Sequence, residues 1–250
     1  MTTTPTGVTS TGTASAGEAV VPRTLDRLAA TPTSIGHLAV HFRPGERDLA
    51  TRFFQLLGAR IREFPNALSD EPLYIVAMDG ADPDRANNIV YLFALKPAQI
   101  ELESAIAESL GAGTDHEHPA LTAFLEHRER WPESYLHFGL HFAALEELEA
   151  AVLRMQAEME SNPAFGARIQ GMQIMRARGQ EGDHAIDERM AASPVFAGTA
   201  DYAYGKHGVQ VHIRTDLFAT GLALFGSIVE LDFVFTGPGR EQNAFNTLLP

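Results

Sequence analysis

Ser34-Ile-Gly-His-Leu-Ala-Val-His-Phe42 and Tyr135-Leu-His-Phe-Gly-Leu-His-Phe142 are two versions of one pattern. Each carries His-x-x-x-His with a small residue midway. In the first, Leu38, Val40 and Phe42 share a face and His37, Ala39 and His41 take the other. In the second, Leu136, Phe138, Leu140 and Phe142 oppose His137, Gly139 and His141. Side chains alternate across a strand, so both stretches read as half-buried strands. An apolar stripe at helical spacing follows each. Leu49, Phe53, Leu56 and Leu57 lie in a helix from about 46 to 57, closed by Gly58. Leu145, Leu148, Val152 and Met155 lie in one from about 145 to 159, closed by Asn162-Pro163. A strand–helix unit is therefore duplicated within the chain.

Further strands extend each unit. In the first they are expected at Leu73–Met78, Asn88–Leu95 and Gln99–Glu103, with Asp79-Gly80 and Lys96-Pro97 as turns. In the second they are expected at Arg168–Arg178, Gly208–Asp216 and Ser227–Phe235. Val209, Val211 and Ile213 there oppose Gln210, His212 and Arg214, while Val229, Leu231 and Phe233 oppose Glu230 and Asp232. The fold class is α+β, in two strand–helix–three-strand (βαβββ) modules. The expected divisions are a disordered leader over 1–30, modules over 31–104 and 134–236, a helical connector over 105–133 and a tail over 237–250. An insertion over 179–207 mixes charge with Met190, Val195 and Phe196, which suits a weakly packed lid over a site.

Composition narrows the function. Of 250 residues, 45% are hydrophobic and 20% charged, ordinary for a globular chain. The net charge of −13 opposes binding to phosphate backbones or anionic lipid, so neither nucleic acid nor membrane is an expected partner. No apolar run approaches the roughly 18 residues that cross a bilayer, and the start lacks a secretory signal; the expected location is cytoplasmic. There is no cysteine, so a metal must sit on His, Asp or Glu.

Residues four apart on a strand are separated by ~13 Å, so His37 and His41 cannot share one ion, nor can His137 and His141. A shared site needs one imidazole from each strand, set side by side. Neutral imidazoles with carboxylates suit one divalent ion of Fe, Mn, Ni, Co or Zn. Glu101 and Glu230, within Ile100-Glu-Leu102 and Val229-Glu-Leu231, are the carboxylates best placed to join them.

These residues resemble the vicinal-oxygen-chelate superfamily, which includes glyoxalase I, bleomycin-resistance proteins and extradiol dioxygenases. The likeness rests on Gly36–Phe42, Phe53-Phe-Gln-Leu-Leu-Gly58, Ile100-Glu-Leu102, His137–Phe142 and Ile228-Val-Glu-Leu231. It implies two βαβββ modules forming a curved mixed sheet around a central cup, with the helices outside. It also implies metal ligands at His37, Glu101, His137 and Glu230. On that reading the ion binds two neighbouring oxygens of a small substrate, and Glu101 or Glu230 acts as base in a glyoxalase-like or epimerase-like proton transfer. A second option is an Fe(II) dioxygenase with His37, His137 and Glu230 as a two-His, one-carboxylate face and His212 as acid/base. A third is a small-molecule binding or resistance protein without chemistry. Gln210 and Arg214, on the polar face with His212, are expected to contact substrate, Arg214 through its two-pronged donors. A homodimer is an open option.

Plainer readings accompany these. His41 and His141 suit satisfied, half-buried positions, and Glu103 a solvated edge. Asp115-His-Glu-His118 suits a loop or helix start, and the phenylalanines suit the core.

Overall fold

The computed structural model describes residues 36–65, 72–78, 88–179, 184–205 and 207–236. The leader and the tail lie outside them. The first strand, β1 (His37–Phe42), turns at Arg43-Pro-Gly45 into helix α1 (Arg47–Leu56). Gly58 ends that helix in the left-handed region at φ +91°, with its N–H on the Gln55 carbonyl and the Ala59 N–H on the Phe54 carbonyl. A side chain with a Cβ resists that conformation, which explains the glycine.

Strands β2 (Arg60–Phe64), β3 (Leu73–Ala77) and β4 (Ile89–Ala94) complete the first sheet. Helices α2 (Pro97–Ser109) and α3 (Pro119–Arg130) and a 3-10 turn at Pro132–Ser134 then lead to β5 (His137–His141). After it come α4 (Leu145–Ser161), the single-turn α5 (Pro163–Gly166), β6 (Ile169–Met175) and α6 (His184–Ala191). The chain ends its described part with β7 (Gly208–Thr215), the two-residue β8 (Phe218–Ala219), a 3-10 turn at Ala223–Phe225 and β9 (Ser227–Val234).

The result is α+β, with two mixed sheets that do not close on each other. Their orders are β2-β3-β4-β1-β8 and β5-β9-β7-β6. In both, the strand before the main helix lies parallel to the last long strand: β1 beside β4, and β5 beside β9. The remaining neighbours are antiparallel. The apolar faces of both sheets and the helices α1 and α4 share one core. Phe218 anchors it, its ring 5.1 Å from Phe53 and 4.9 Å from Phe54.

Two expectations fail. The stretch Gln99–Glu103 is not a strand but the first turns of α2. Pro97 occupies the first helical position, where its fixed φ and missing N–H cost nothing, and Ala, Gln, Leu and Glu sustain the helix. Glu103 is not solvated there but buried, accepting from Gln99 Nε2 at 2.9 Å and from the Leu224 N–H at 2.9 Å. The strand that replaces it, β2, was missed because Arg60, Arg62 and Glu63 make an edge strand look like a loop.

The insertion also departs from a loosely packed cover. Ile186, Met190 and Phe196 are fully buried in the common core, and Arg189 is held by Glu146 and Glu149 of α4. Residues 184–197 thus belong to the helical side. Among the described residues no helix is long and apolar enough to cross a membrane.

Candidate metal centre

The second sheet turns Phe138, Leu140, Val211, Ile213, Val229 and Leu231 to the core, so the alternate residues form a polar face. Register arranges that face in rows. Gly139, Glu230, His212 and Gln173 stand opposite one another across β5, β9, β7 and β6. His141, Asp232 and Gln210 make the next row.

His212 and Glu230 are buried, and Glu133, from the turn Pro132–Ser134, reaches over them. His212 Nε2–H donates to Glu133 Oε2 at 3.1 Å. One donor atom from each of Glu133, His212 and Glu230 lies within 4.8 Å of the others. His137 adjoins them, its Nε2 3.3 Å from Glu230 Oε2. Its Nδ1–H donates to the Tyr135 carbonyl at 2.7 Å, which leaves Nε2 as the nitrogen facing the group.

The electrostatics follow from these contacts. The Glu230 carboxylate, the Tyr135 carbonyl and the charge of Glu133 raise the His137 pKa to about 9, against an opposing effect of burial. The hydrogen bond from His212 holds Glu133 below the usual carboxylate range, helped by nearby His137.

Around this group the contacts are closely shared. Gln210 Nε2 donates to Glu230 Oε1 at 2.5 Å, and Gln210 Oε1 accepts from the Tyr204 N–H at 2.8 Å. His141 Nδ1–H donates to Asp232 Oδ1 at 2.5 Å, which raises the His141 pKa; the imidazole is 61% exposed. Gly139 lets both carboxylates lean over β5: a Cβ there would stand 3.3 Å from Asp232 Oδ2 and 3.6 Å from Glu230 Oε2. His212 Nδ1 and Gln173 Oε1 are among the buried side-chain atoms of the described residues that have no hydrogen-bond partner.

Of the residues expected from sequence, His137, His212, Glu230 and Gln210 come together. His37 and Glu101 do not join them. Glu101 is exposed on α2, a consequence of the helix that replaces the expected strand. His37 is exposed on β1 with its ring 4.6 Å from that of Tyr91. The first sheet pairs Ala39 with Tyr91 where the second pairs Gly139 with Glu230, so its last strand offers a phenol instead of a carboxylate. His41 likewise stacks on Phe93.

Arg214 is engaged by Glu129, its Nη2 donating to Oε1 at 2.7 Å, and lies close over Gly171. Asp115-His-Glu-His118 is a helix start: Glu117 accepts from the Gly113 N–H and Thr122 Oγ1, and His118 Nδ1 caps α3. Glu133 was missed. Its one signal is an acidic residue in a Pro-led turn just before a histidine strand. A cleft of about 740 Å³ along β6 is lined in part by Gln173, Glu129, Asp201 and Arg214, but not by Glu133, His137, His212 or Glu230.

No protein-family description matches the chain, and no curated protein does. Solved structures give four significant matches. One is described as the structure of hypothetical protein SA1046 from S. aureus. It is 9% identical over 84% of this chain and 98% of that one, with a TM-score of 0.35. A likeness of that size carries no argument about fold or activity.

Proposed function

We propose that the protein is a metal-dependent enzyme acting on a small substrate that presents two adjacent oxygens. The reading rests on one observation, the gathering of Glu133, His212 and Glu230 with His137 at its edge. These donors fit a divalent ion. Imidazole nitrogens and carboxylate oxygens without thiolate suit Mn, Fe, Co, Ni or Zn. Ligands at ~2.0–2.2 Å from one ion stand roughly 3–4.4 Å apart. The 4.8 Å span of the present group is near that range and leaves small side-chain adjustments. A relationship to the vicinal-oxygen-chelate proteins draws support from the shared strand order of the two sheets, each with its first strand parallel to its last.

The bound ion would act as a Lewis acid toward the substrate's paired oxygens. His212, Glu230, Glu133 and His137 would hold it. His141 and Asp232 supply the acid–base work: Asp232 fixes the Nδ1–H tautomer, and Nε2 faces outward to accept a substrate proton and return it. One row along β5 is ~6.6 Å, within the span of a small molecule held at the neighbouring row. This gives proton-transfer chemistry of the glyoxalase or epimerase kind.

A second reading, an Fe(II) dioxygenase, is favoured by one observation: His137, His212 and Glu230 together make two imidazoles and a carboxylate. Metal analysis of anaerobically purified protein separates the two. Ni, Co or Zn, with deuterium from solvent entering an α-hydroxyketone, supports proton transfer. Iron with oxygen uptake on a catechol supports the dioxygenase. Protein that binds no divalent ion removes both.

A further inference from the structure

An unpaired sheet edge invites another strand unless charge, proline or a covering segment blunts it. The first sheet guards its edge strand β2 with Arg60, Arg62 and Glu63. The second sheet does not guard β6 in that way. β6 is its outer strand, and Gln170-Gly-Met-Gln-Ile174 carries neither charge nor proline.

The chain itself pairs with one end of this edge. The Ile174 carbonyl accepts from Thr199 Oγ1 at 2.7 Å. The Arg176 N–H donates to the Asp201 carbonyl at 2.9 Å, and the Arg176 carbonyl accepts from the Ala203 N–H at 3.0 Å. Tyr202 thus lies parallel beside Arg176, as a further strand would. Main-chain groups of alternate residues share one side of a strand. Since Ile174 and Arg176 bond away from β7, Met172 turns its N–H and C=O the same way, and Ile174 its N–H. Among the described residues no segment outside the sheet takes these three groups. Beside them lies the cleft of about 740 Å³, lined from Gln170 to Ile174 and also by Val195, Gly198 and Thr199. Five residues at ~3.3 Å each give it the length of a short strand.

We infer that this cleft takes an extended peptide of a partner protein as a fifth strand of the second sheet, with apolar residues at alternate positions and lysine or arginine between them. In such pairing the main chain supplies affinity and the alternate side chains supply specificity. Met172, Ile174 and Val195 pack against the core and line the cleft, so they offer an apolar wall to one set of side chains. The other set points to the polar face. There Arg214 already donates to Glu129 Oε1 at 2.7 Å. With Arg214 neutralised by Glu129, Asp201 leaves the lining acidic, which favours a cationic side chain. The inference is independent of the metal reading.

The test uses the full chain and a fluorescein-labelled peptide, Val-Lys-Val-Lys-Val. Anisotropy should show saturable binding with a Kd below ~1 mM, and Val-Glu-Val-Glu-Val should bind at least ~10-fold more weakly. Amide exchange locates the peptide. The Met172 and Ile174 N–H groups should slow when it binds, whereas those of Gly171 and Gln173, on the side of β7, should not change. Gly198→Phe blocks the cleft without disturbing the fold, because a Cβ at Gly198 meets nothing within 4 Å. It should lower affinity at least ~10-fold. No saturable binding, or binding that leaves Met172 and Ile174 exchange unchanged, overturns the inference. Equal binding of the two peptides overturns the assignment of a basic partner.

Discussion

Replacing Glu230 by Gln should change the metal-free protein in a way that can be calculated. The Glu230 carboxylate is the largest influence raising the His137 pKa from 6.5 to about 9. That difference corresponds to ~3 kcal/mol favouring the imidazolium in the folded state. The His137 side chain keeps 21% of its surface in water, which screens the pair, so ~1–2 kcal/mol is the working expectation. Because the folded pKa lies above the unfolded one, this contribution is complete below pH 6.5 and disappears as the pH rises through about 9. Urea unfolding of metal-free protein should therefore show ~1–2 kcal/mol less stability at pH 9.5 than at pH 6.5 from this pair. Glu230→Gln should remove that component of the slope. In ring NMR the His137 midpoint should fall from about 9 toward the ordinary histidine range, with burial pulling it lower. A metal-free midpoint for His137 at or below 6.5 in the unaltered protein would refute the reasoning, since burial would then outweigh the contact with Glu230.

Three further outcomes are expected. Glu133→Gln and His212→Ala should each lower bound metal at least tenfold by elemental analysis, whereas His37→Ala and Glu101→Gln should leave it unchanged; equal losses in all four would return the site to the two halves jointly. Gly226→Ala should cost at least ~2 kcal/mol in urea, because φ +64° with ψ −158° is a glycine conformation and the new Cβ would lie 2.3 Å from the Thr215 carbonyl oxygen. An unmoved midpoint would contradict it. Glu103→Ala should cost ~1–3 kcal/mol by removing the buried carboxylate to which the half-buried Leu224 N–H and the Gln99 amide donate. Calorimetry that shows no loss would mean water replaces the carboxylate.

What could be read from sequence was what alternates. β1, β5, β7 and β9 carry long runs with one apolar face, so both their boundaries and their polar faces were legible, including His137, His212 and Glu230 on one sheet. β2 was not, because an edge strand with three charged residues in five has no apolar face to show. Ile100-Glu-Leu102 looked like Val229-Glu-Leu231 by local alternation, but Pro97 and the following helix formers decided its conformation. The same error placed Glu101 at the site. Glu133 was hidden for another reason. It reaches His212 from 79 positions away through a three-residue turn, and nothing periodic marks such a residue.

The short strand β8 has a consequence for how the molecule is made. β1 lies at the border of its sheet until Ala219 and Phe218 pair with His41 and Phe42, and the Phe53–Phe54 rings lack their third member until the same residues arrive. On the ribosome the first sheet therefore emerges with an open edge and an uncovered aromatic patch. Both persist from the completion of β4 at Ala94 until Phe218 and Ala219 are made, about half the length of the chain later. Pairing across so long a stretch is slow, and an exposed edge invites association with other chains in the interval. The two halves resemble each other in design, yet neither is finished alone. A fragment ending at the connector should accumulate as aggregate or chaperone-bound material, although it contains a complete-looking strand–helix–three-strand unit.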